Sequence, residues 1–249
     1  DPVDGLVRLG LSLILLGIVI AISYAKRLGI GWEVGFAAGR AILQLMVVVL
    51  ILTVVFESGD PGLVALVLSA MVVIAAYTSG TRAGGGIEHP LRITLPSIAI
   101  GTLVILAVLI LIGVLPLEPE FLIPVGSMNI GGSMIICSLV LNRIRREVET
   151  GREQIETSLS LGATSREAVE PFTRLSVKGS LIPSIDRLRT LDIIVGTMAG
   201  MIIAGINPVW AAQYQLVILF LLMASEIITA VIATYLAERQ LFTEAGQLR

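Results

Sequence analysis

Glu226 has the most chemistry to offer, because it sits inside the apolar run "LVILFLLMASEIITAVIATYLA" over 216–237. A carboxylate in the middle of a bilayer costs about 2.5–3.5 kcal/mol on insertion scales, so its presence calls for a role. It binds a cation or carries a proton along a central path, or it is a protonated or paired acid that holds helices together. Asn129, Ser133 and Cys137 recur at i, i+4 and i+8, a polar stripe on one helix face. Such a stripe lines a path, or it joins helices through hydrogen bonds worth ~0.6–2 kcal/mol each. Met128, Met134 and Met198 add thioethers, which suit soft ions such as copper(I). Apolar filling is the commoner use of methionine. Glu226, Asn129, Met128, Met134 and Met198 make up the candidate path for a metal ion.

Other chemistries are excluded by what the chain lacks. His89 is the single histidine, so neither a His-rich metal cluster nor an HExxH hydrolase site is encoded. The only lysines, Lys26 and Lys178, lie outside the apolar runs, which rules out a retinal-type Schiff base inside the membrane. The Gly-rich stretches at 29–39 and 83–90 lack the G-x-x-x-x-G-K-[ST] pattern of a nucleotide cradle. The chain is therefore expected to bind no cofactor, to hydrolyse no ATP and to be no enzyme. Nothing points to nucleic acid. With Cys137 alone, no intramolecular disulfide forms.

These side chains must be held by membrane helices. Of 249 residues 55% are apolar and 14% charged, against about a quarter charged in soluble domains, and the mean hydropathy is +0.94. Apolar runs of about 20 residues recur, each long enough to cross ~30 Å of hydrocarbon as a helix. The expected fold is an all-α, polytopic membrane protein, a single permease-like domain over 1–249. Its seven spans are placed at 5–25, 37–56, 62–80, 94–115, 121–141, 191–206 and 210–236. The first run lacks a basic flank and a small-residue cleavage site and is read as a mature helix. Basic residues collect after spans 1, 3, 5 and 7, most densely over 142–190. By the positive-inside rule the N-terminus is outside, the C-terminus cytoplasmic, and 142–190 cytoplasmic. Arg8 is the exception, and near a helix end it snorkels. Localisation in the cytoplasmic membrane follows.

Polar residues inside the spans also need partners. Arg40 and Gln44, one turn apart, share a face of span 2. Arg40 is expected to snorkel or to pair with Glu226 or Asp192. Gly196, Gly200 and Ala204 have the small-xxx-small spacing of close helix packing, within the subunit or across a dimer.

The stretch "RIRREVETGREQIETSLSL" over 143–161 is helical in composition but too charged for lipid. Ile144, Val148, Ile155, Leu159 and Leu161 make a narrow apolar stripe along it. Gly162 stands where a C-cap glycine belongs. Thr164 and Glu167 then fit a capping box that starts a second helix. Ala168, Phe172 and Leu175 should line one face of that helix, and Pro171 should kink it. Pattern alone allows a plain solvated connector.

The segment "ETSLSLGA" at 156–163 resembles the E-A-A-x-x-L-G-A core of the cytoplasmic loop of ABC importer permeases, with Thr157 and Ser158 in place of the alanines. The nearest counterpart of that family's Leu-Pro is Ile182-Pro183. Across nearly the whole chain, five blocks in order resemble the Fet-type iron-export ABC permeases, a family related to a plant aluminium-tolerance membrane subunit. The blocks are "GRAILQL" (39–45), "IPVGSMNIGGSM" (123–134), "QIETSLSLGATSREA" (154–168), "LIPSID" (181–186) and "AGINPVWAAQYQ" (204–215). The chain departs from that pattern at 194–200, where a proline and a methionine are missing, and at Asn207, where an aspartate is usual.

The resemblance implies a homodimer driven by two separate ATP-binding subunits, which carry the ATP and Mg. It implies export of iron, and coupling through a cytoplasmic helix–turn–helix at Glu156, Leu159, Leu161, Gly162, Ala163, Thr164 and Arg166. Two alternatives stay open: a secondary transporter or channel using Glu226, and an ABC permease for a non-metal cargo.

Overall fold

The structure is a computed structural model that describes residues 2–27, 29–83, 89–190, 196–243 and 247–248. Apart from one isolated bridge between Phe242 and Leu248, its regular structure among the described residues is helical. The chain divides into two compact units, Asp1–Gly59 and Asp60–Arg249.

The first unit is a hairpin of α1 (Pro2–Ala25) and α2 (Gly31–Ser58). Arg27 and Gly29 take positive φ in the turn, and Gly31 sits close under the Tyr24 ring, where a Cβ would lie 3.1 Å from it. Almost all of α2 outside the turn is exposed apolar surface, the composition of a helix meant for lipid. Arg40 and Gln44 are both exposed on it.

The second unit begins at Asp60, whose side chain accepts from the Gly62 amide at 2.8 Å and caps α3 (Pro61–Arg82). It continues with α4 (Leu91–Leu111), α5 (Pro119–Thr150), α6 (Arg152–Ser160), α7 (Ser165–Ser180), α8 (Ile182–Arg189), α9 (Gly196–Ile203) and α10 (Pro208–Leu241). Helices α3, α4, α5 and α10 form the bundle. Its backbones approach closely where glycine removes a side chain: Gly126 faces Leu68, Gly101 abuts Thr229 and the Ser225 carbonyl, and Gly132 lies under Glu226. Small hydroxyls join the helices across these contacts. Thr94 donates to the Ala76 carbonyl at 2.8 Å, and Ser138 donates to Ser79 Oγ at 3.1 Å. In hydrocarbon such packing does the work that the hydrophobic effect does in water.

Five helices are long and apolar enough to span a membrane: α2, α3, α4, α5 and α10. They fulfil the second, third, fourth, fifth and seventh expected crossings, and α1, 24 residues long, stands at the first. Two boundaries differ from expectation. The stretch expected as one helix over 143–161 is divided: its first part continues α5 to Thr150, with Ile144 and Val148 buried past the charged "RIRRE". α5 stops at Gly151, pressed under the Phe172 ring, where a Cβ has no room. At 1.5 Å per residue α5 and α10 are about 48 and 51 Å long, well beyond a ~30 Å hydrocarbon layer, and α6 and α7 pack on the excess.

The second difference is at the sixth crossing. Over the expected 191–206, residues 191–195 lie outside the described set, Asp192 among them, and α9 is an eight-residue helix. α8, expected within a polar connector, instead lies beside the central part of α10. Its Ser184, Arg187 and Leu188 line a small cleft with Leu219, Leu222 and Glu226. That level matches the middle of α4, since Gly101 accepts from Ser225. α8 therefore reaches the level of Glu226 on α10. Residues Arg187 and Arg189 hid this, because they read as loop charge.

The expected turn at the polar end is present. Gly162 has φ +95°, its amide donates to the Leu159 carbonyl at 3.0 Å, and the Ala163 amide donates to the Ser158 carbonyl at 3.1 Å. The Thr164–Glu167 capping box forms in both directions and α7 starts there. The helix then runs on through Pro171. Thr164→Ala is expected to cost about 1 kcal/mol in the stability of α7, read as faster amide exchange over 165–169. Hydrogen bonds from the Thr164 hydroxyl and then the Thr164 amide hold the Glu167 carboxyl below its ordinary value. Its contribution to the cap is thus complete above 4.5, the ordinary value, and is lost as pH falls through the lowered one. The same exchange measurement, run on acidification, checks the sign.

Candidate functional site

α10 brings Gln215, Leu222, Glu226 and Thr229 onto one helical face, at spacings of seven, four and three. Against this face α4 and α5 place Gly101, Asn129, Gly132 and Ser133. The result is a polar seam through the centre of the bundle. Ser133 Oγ lies 2.9 Å from Ser225 Oγ, Ser225 donates to the Gly101 carbonyl at 3.0 Å, and Asn129 Nδ2 donates to the Thr102 carbonyl at 3.4 Å. Asn129, Ser133 and Cys137 are all fully buried between helices. Part of the expected stripe therefore serves as helix glue.

Glu226 is 2% exposed and sits at the edge of this seam. Its Oε1 accepts from Arg187 Nη1 of α8 at 3.3 Å, while Oε2 has no hydrogen-bond partner among the described residues. Arg40, expected to snorkel or to pair with Glu226 or Asp192, belongs to the first unit; the cation beside Glu226 is Arg187, because α8 lies beside α10. Gly132 makes room for the carboxylate: a Cβ there would stand 2.7 Å from Oε1. Asn129 Oδ1 and Thr229 Oγ1 are likewise buried without a partner among the described residues. Each unsatisfied buried acceptor costs roughly 1–3 kcal/mol, so three of them in one region carry a real cost.

The methionines do not gather round it. Met128 is exposed on the outer face of α5, Met134 packs against the apolar core, and Met198 is half-buried on α9. No cluster of three or more His, Cys, Asp or Glu exists among the described residues. What the seam offers is one carboxylate and several neutral oxygens. Hard cations favour that donor set; copper(I) and other thiophilic ions do not. Gly200 has open space where its Cβ would be, so it makes no close packing among the described residues, and the side of Gly196 lies outside them.

At the polar end the predicted coupling residues divide by direction. Ile155 is fully buried and Leu159 packs on the core, so both anchor α6. Leu161, expected on the same stripe, is 84% exposed because the chain has already left the helix for the Gly162 turn. Leu175 is also exposed, and Val169, Thr173 and Ser176 fill the inner face of α7 beside Ala168. Glu156 pairs with Arg152 at 2.9 Å on the surface, and Arg166 is exposed. Thr173 ties α7 to Glu238 of α10 at 2.8 Å. Leu161, Gly162, Ala163 and Thr164 thus form a raised turn on a braced platform.

Sequence reasoning missed Arg187, Ser225, Thr229 and Gln215. The spacing on α10 was available as a signal for three of them. For Arg187 the only signal was Pro183, which starts α8.

The chain is similar in sequence to several known proteins. The rice protein "UPF0014 membrane protein STAR2" is 35% identical over 231 residues, 92% of this chain and 81% of that one. The Escherichia coli K12 protein "Probable iron export permease protein FetB" is 33% identical over 242 residues, 96% and 93% of the two chains. The Arabidopsis thaliana "Protein ALUMINUM SENSITIVE 3" is 30% identical over 250 residues, 98% and 90%. No solved structure gives a significant match. The model of the uncharacterised protein family UPF0014 matches residues 6–242, and this chain, a multi-pass membrane protein, belongs to that family.

Proposed function

We propose that this chain is the membrane-spanning permease subunit of an ABC transporter, that it works as a homodimer, and that it exports iron or a related hard metal ion. The name of the Escherichia coli relative, a probable iron export permease, supports the cargo and the direction. The observation that carries the reading is the polar-end platform. The Leu161–Thr164 turn is presented to solvent while Ile155, Leu159 and Phe172 root it on the long helices α5 and α10. An ATP-binding subunit docked there pushes on helices that reach the centre of the bundle. By the charge rule this end faces the cytoplasm, where ATP is. The partner drives transport through its differential affinity for two conformations of the membrane subunit. Glu226 is the cargo carboxylate in this reading, with the seam hydroxyls and Asn129 Oδ1 beside it. The open side of Gly200 supports a second copy packing near α9.

The test is capture of a candidate ATP-binding-cassette subunit by the full-length protein in detergent. Leu161→Asp, and separately Gly162→Pro with Glu156→Arg, are expected to lower capture at least ~10-fold, the size of a modest interface hot spot, with the elution profile unchanged. Undiminished capture by both variants sinks the coupling assignment. A secondary transporter is the second reading, favoured by the burial of Glu226 in mid-bundle. It gains if vesicles holding this chain alone move iron without nucleotide.

A further inference from the structure

We propose that Arg187 is a tethered occupant of the cation site at Glu226: its guanidinium neutralises the carboxylate while no cargo is bound, and an arriving metal cation displaces it. This rests on reading Glu226 as the cargo carboxylate. Four observations point to it. Only one oxygen of Glu226 is used by Arg187; Oε2 is buried without a partner among the described residues, so the site is half satisfied by its resident charge. Arg187 is 31% exposed while Glu226 is 2% exposed, so the guanidinium has open space to swing into and the carboxylate is enclosed. A one-sided 3.3 Å contact is also weaker than the two parallel bonds a guanidinium makes in a fitted carboxylate site.

The fourth observation is the element that carries the arginine. α8 has eight residues and packs chiefly on α7 and α10, whereas Glu226 belongs to α10, a 34-residue helix packed against both α4 and α5. Displacing Arg187 therefore moves α8 and leaves α10 in place. A loaded site differs from an empty one in whether α8 is held against Leu219 and Leu222. Cargo then changes the membrane conformation through one ion pair, and an empty site is kept neutral between cycles. A hard divalent cation fits the exchange, because it brings more charge to the same oxygens than a guanidinium does.

A resident competitor lowers apparent affinity by the fraction of time it occupies the site. Mn2+ alone, titrated by electron paramagnetic resonance into the full-length chain in lipid nanodiscs, reads this directly. Arg187→Gln is expected to bind Mn2+ at least ~10-fold more tightly than wild type, Arg187→Lys close to wild type, and Glu226→Gln not at all. Equal or weaker binding by a folded Arg187→Gln variant, with Glu226→Gln still silent, overturns the tether and spares the carboxylate. Wild-type binding by Glu226→Gln, or no binding by any form, overturns both. Should Arg187→Gln fail to fold, labelling of Leu188→Cys by a membrane-impermeant maleimide decides. The rate is expected to rise several-fold on adding Mn2+ and to stay flat when Glu226→Gln is also present; a flat rate in both overturns the tether. Background is low because Cys137 is buried.

Discussion

Glu226→Lys is expected to destabilise the protein by about 3–5 kcal/mol, the cost of turning a buried ion pair into a buried repulsion. The lysine ammonium would replace a 2% exposed carboxylate at a point 3.3 Å from a guanidinium. Gly132 approaches too closely for the new side chain to retreat toward α5, and Leu219 and Leu222 close the other side. Glu226→Gln should be much milder. It keeps the shape, still accepts from Arg187, and leaves a guanidinium that is not enclosed. The reversed pair, Glu226→Arg with Arg187→Glu, should recover part of the loss, which neither single change does. Thermal unfolding of wild type, these variants and the two single changes of the reversed pair, all in one detergent, measures this. Equal melting temperatures for Glu226→Lys and Glu226→Gln would mean the carboxylate is not held as described.

Gly101→Leu is expected to prevent accumulation of folded protein altogether. A Cβ at 101 already collides with Thr229 Oγ1 and stands 3.2 Å from the Ser225 carbonyl, which is backbone and cannot swing away. Four carbons would force α4 from α10, break the Ser225–Gly101 hydrogen bond and open the seam beside Asn129. Overpacking of this kind usually costs about 1–3 kcal/mol in soluble cores. Here it also strands the hydroxyls that link three helices, at roughly 1–3 kcal/mol for each unsatisfied group. Gly113→Leu is the control, because no atom lies near that position and only its positive φ resists substitution. Membrane yield and monodispersity of the two variants should differ sharply. Similar yields would mean α4 and α10 are not packed through Gly101.

The helices themselves were legible because spanning length and hydropathy are properties of single segments. The Gly162 stop and the Thr164–Glu167 restart were legible for the same reason, since caps are local. Two readings failed where the deciding contact is distant in sequence. The division of the helical 143–161 stretch at Gly151 depends on the Phe172 ring packed there, which is distant in sequence. Arg187 looked like a solvated charge because its partner is 39 residues away. The site was half legible in the same way: intramembrane cost singled out Glu226, while its neighbours on α4 and α5 follow from glycine contacts that only packing reveals. Leu161 shows the converse, where an apolar residue in register with a buried stripe is exposed because the helix ended one position earlier.

The unbroken length of α5 makes it a lever with Gly132, its closest approach to Glu226, as the fulcrum. From Gly151 to Gly132 is 19 residues, about 28 Å of helix, and from Gly132 to Pro119 about 20 Å. A sideways push of ~3 Å at the Gly151–Phe172 joint therefore emerges as a swing of ~2 Å, in the opposite direction, at the far membrane face. The same stroke barely shifts Gly132 itself. In the proposed transport cycle, one such motion would carry the two ends of α5 in opposite directions about the carboxylate.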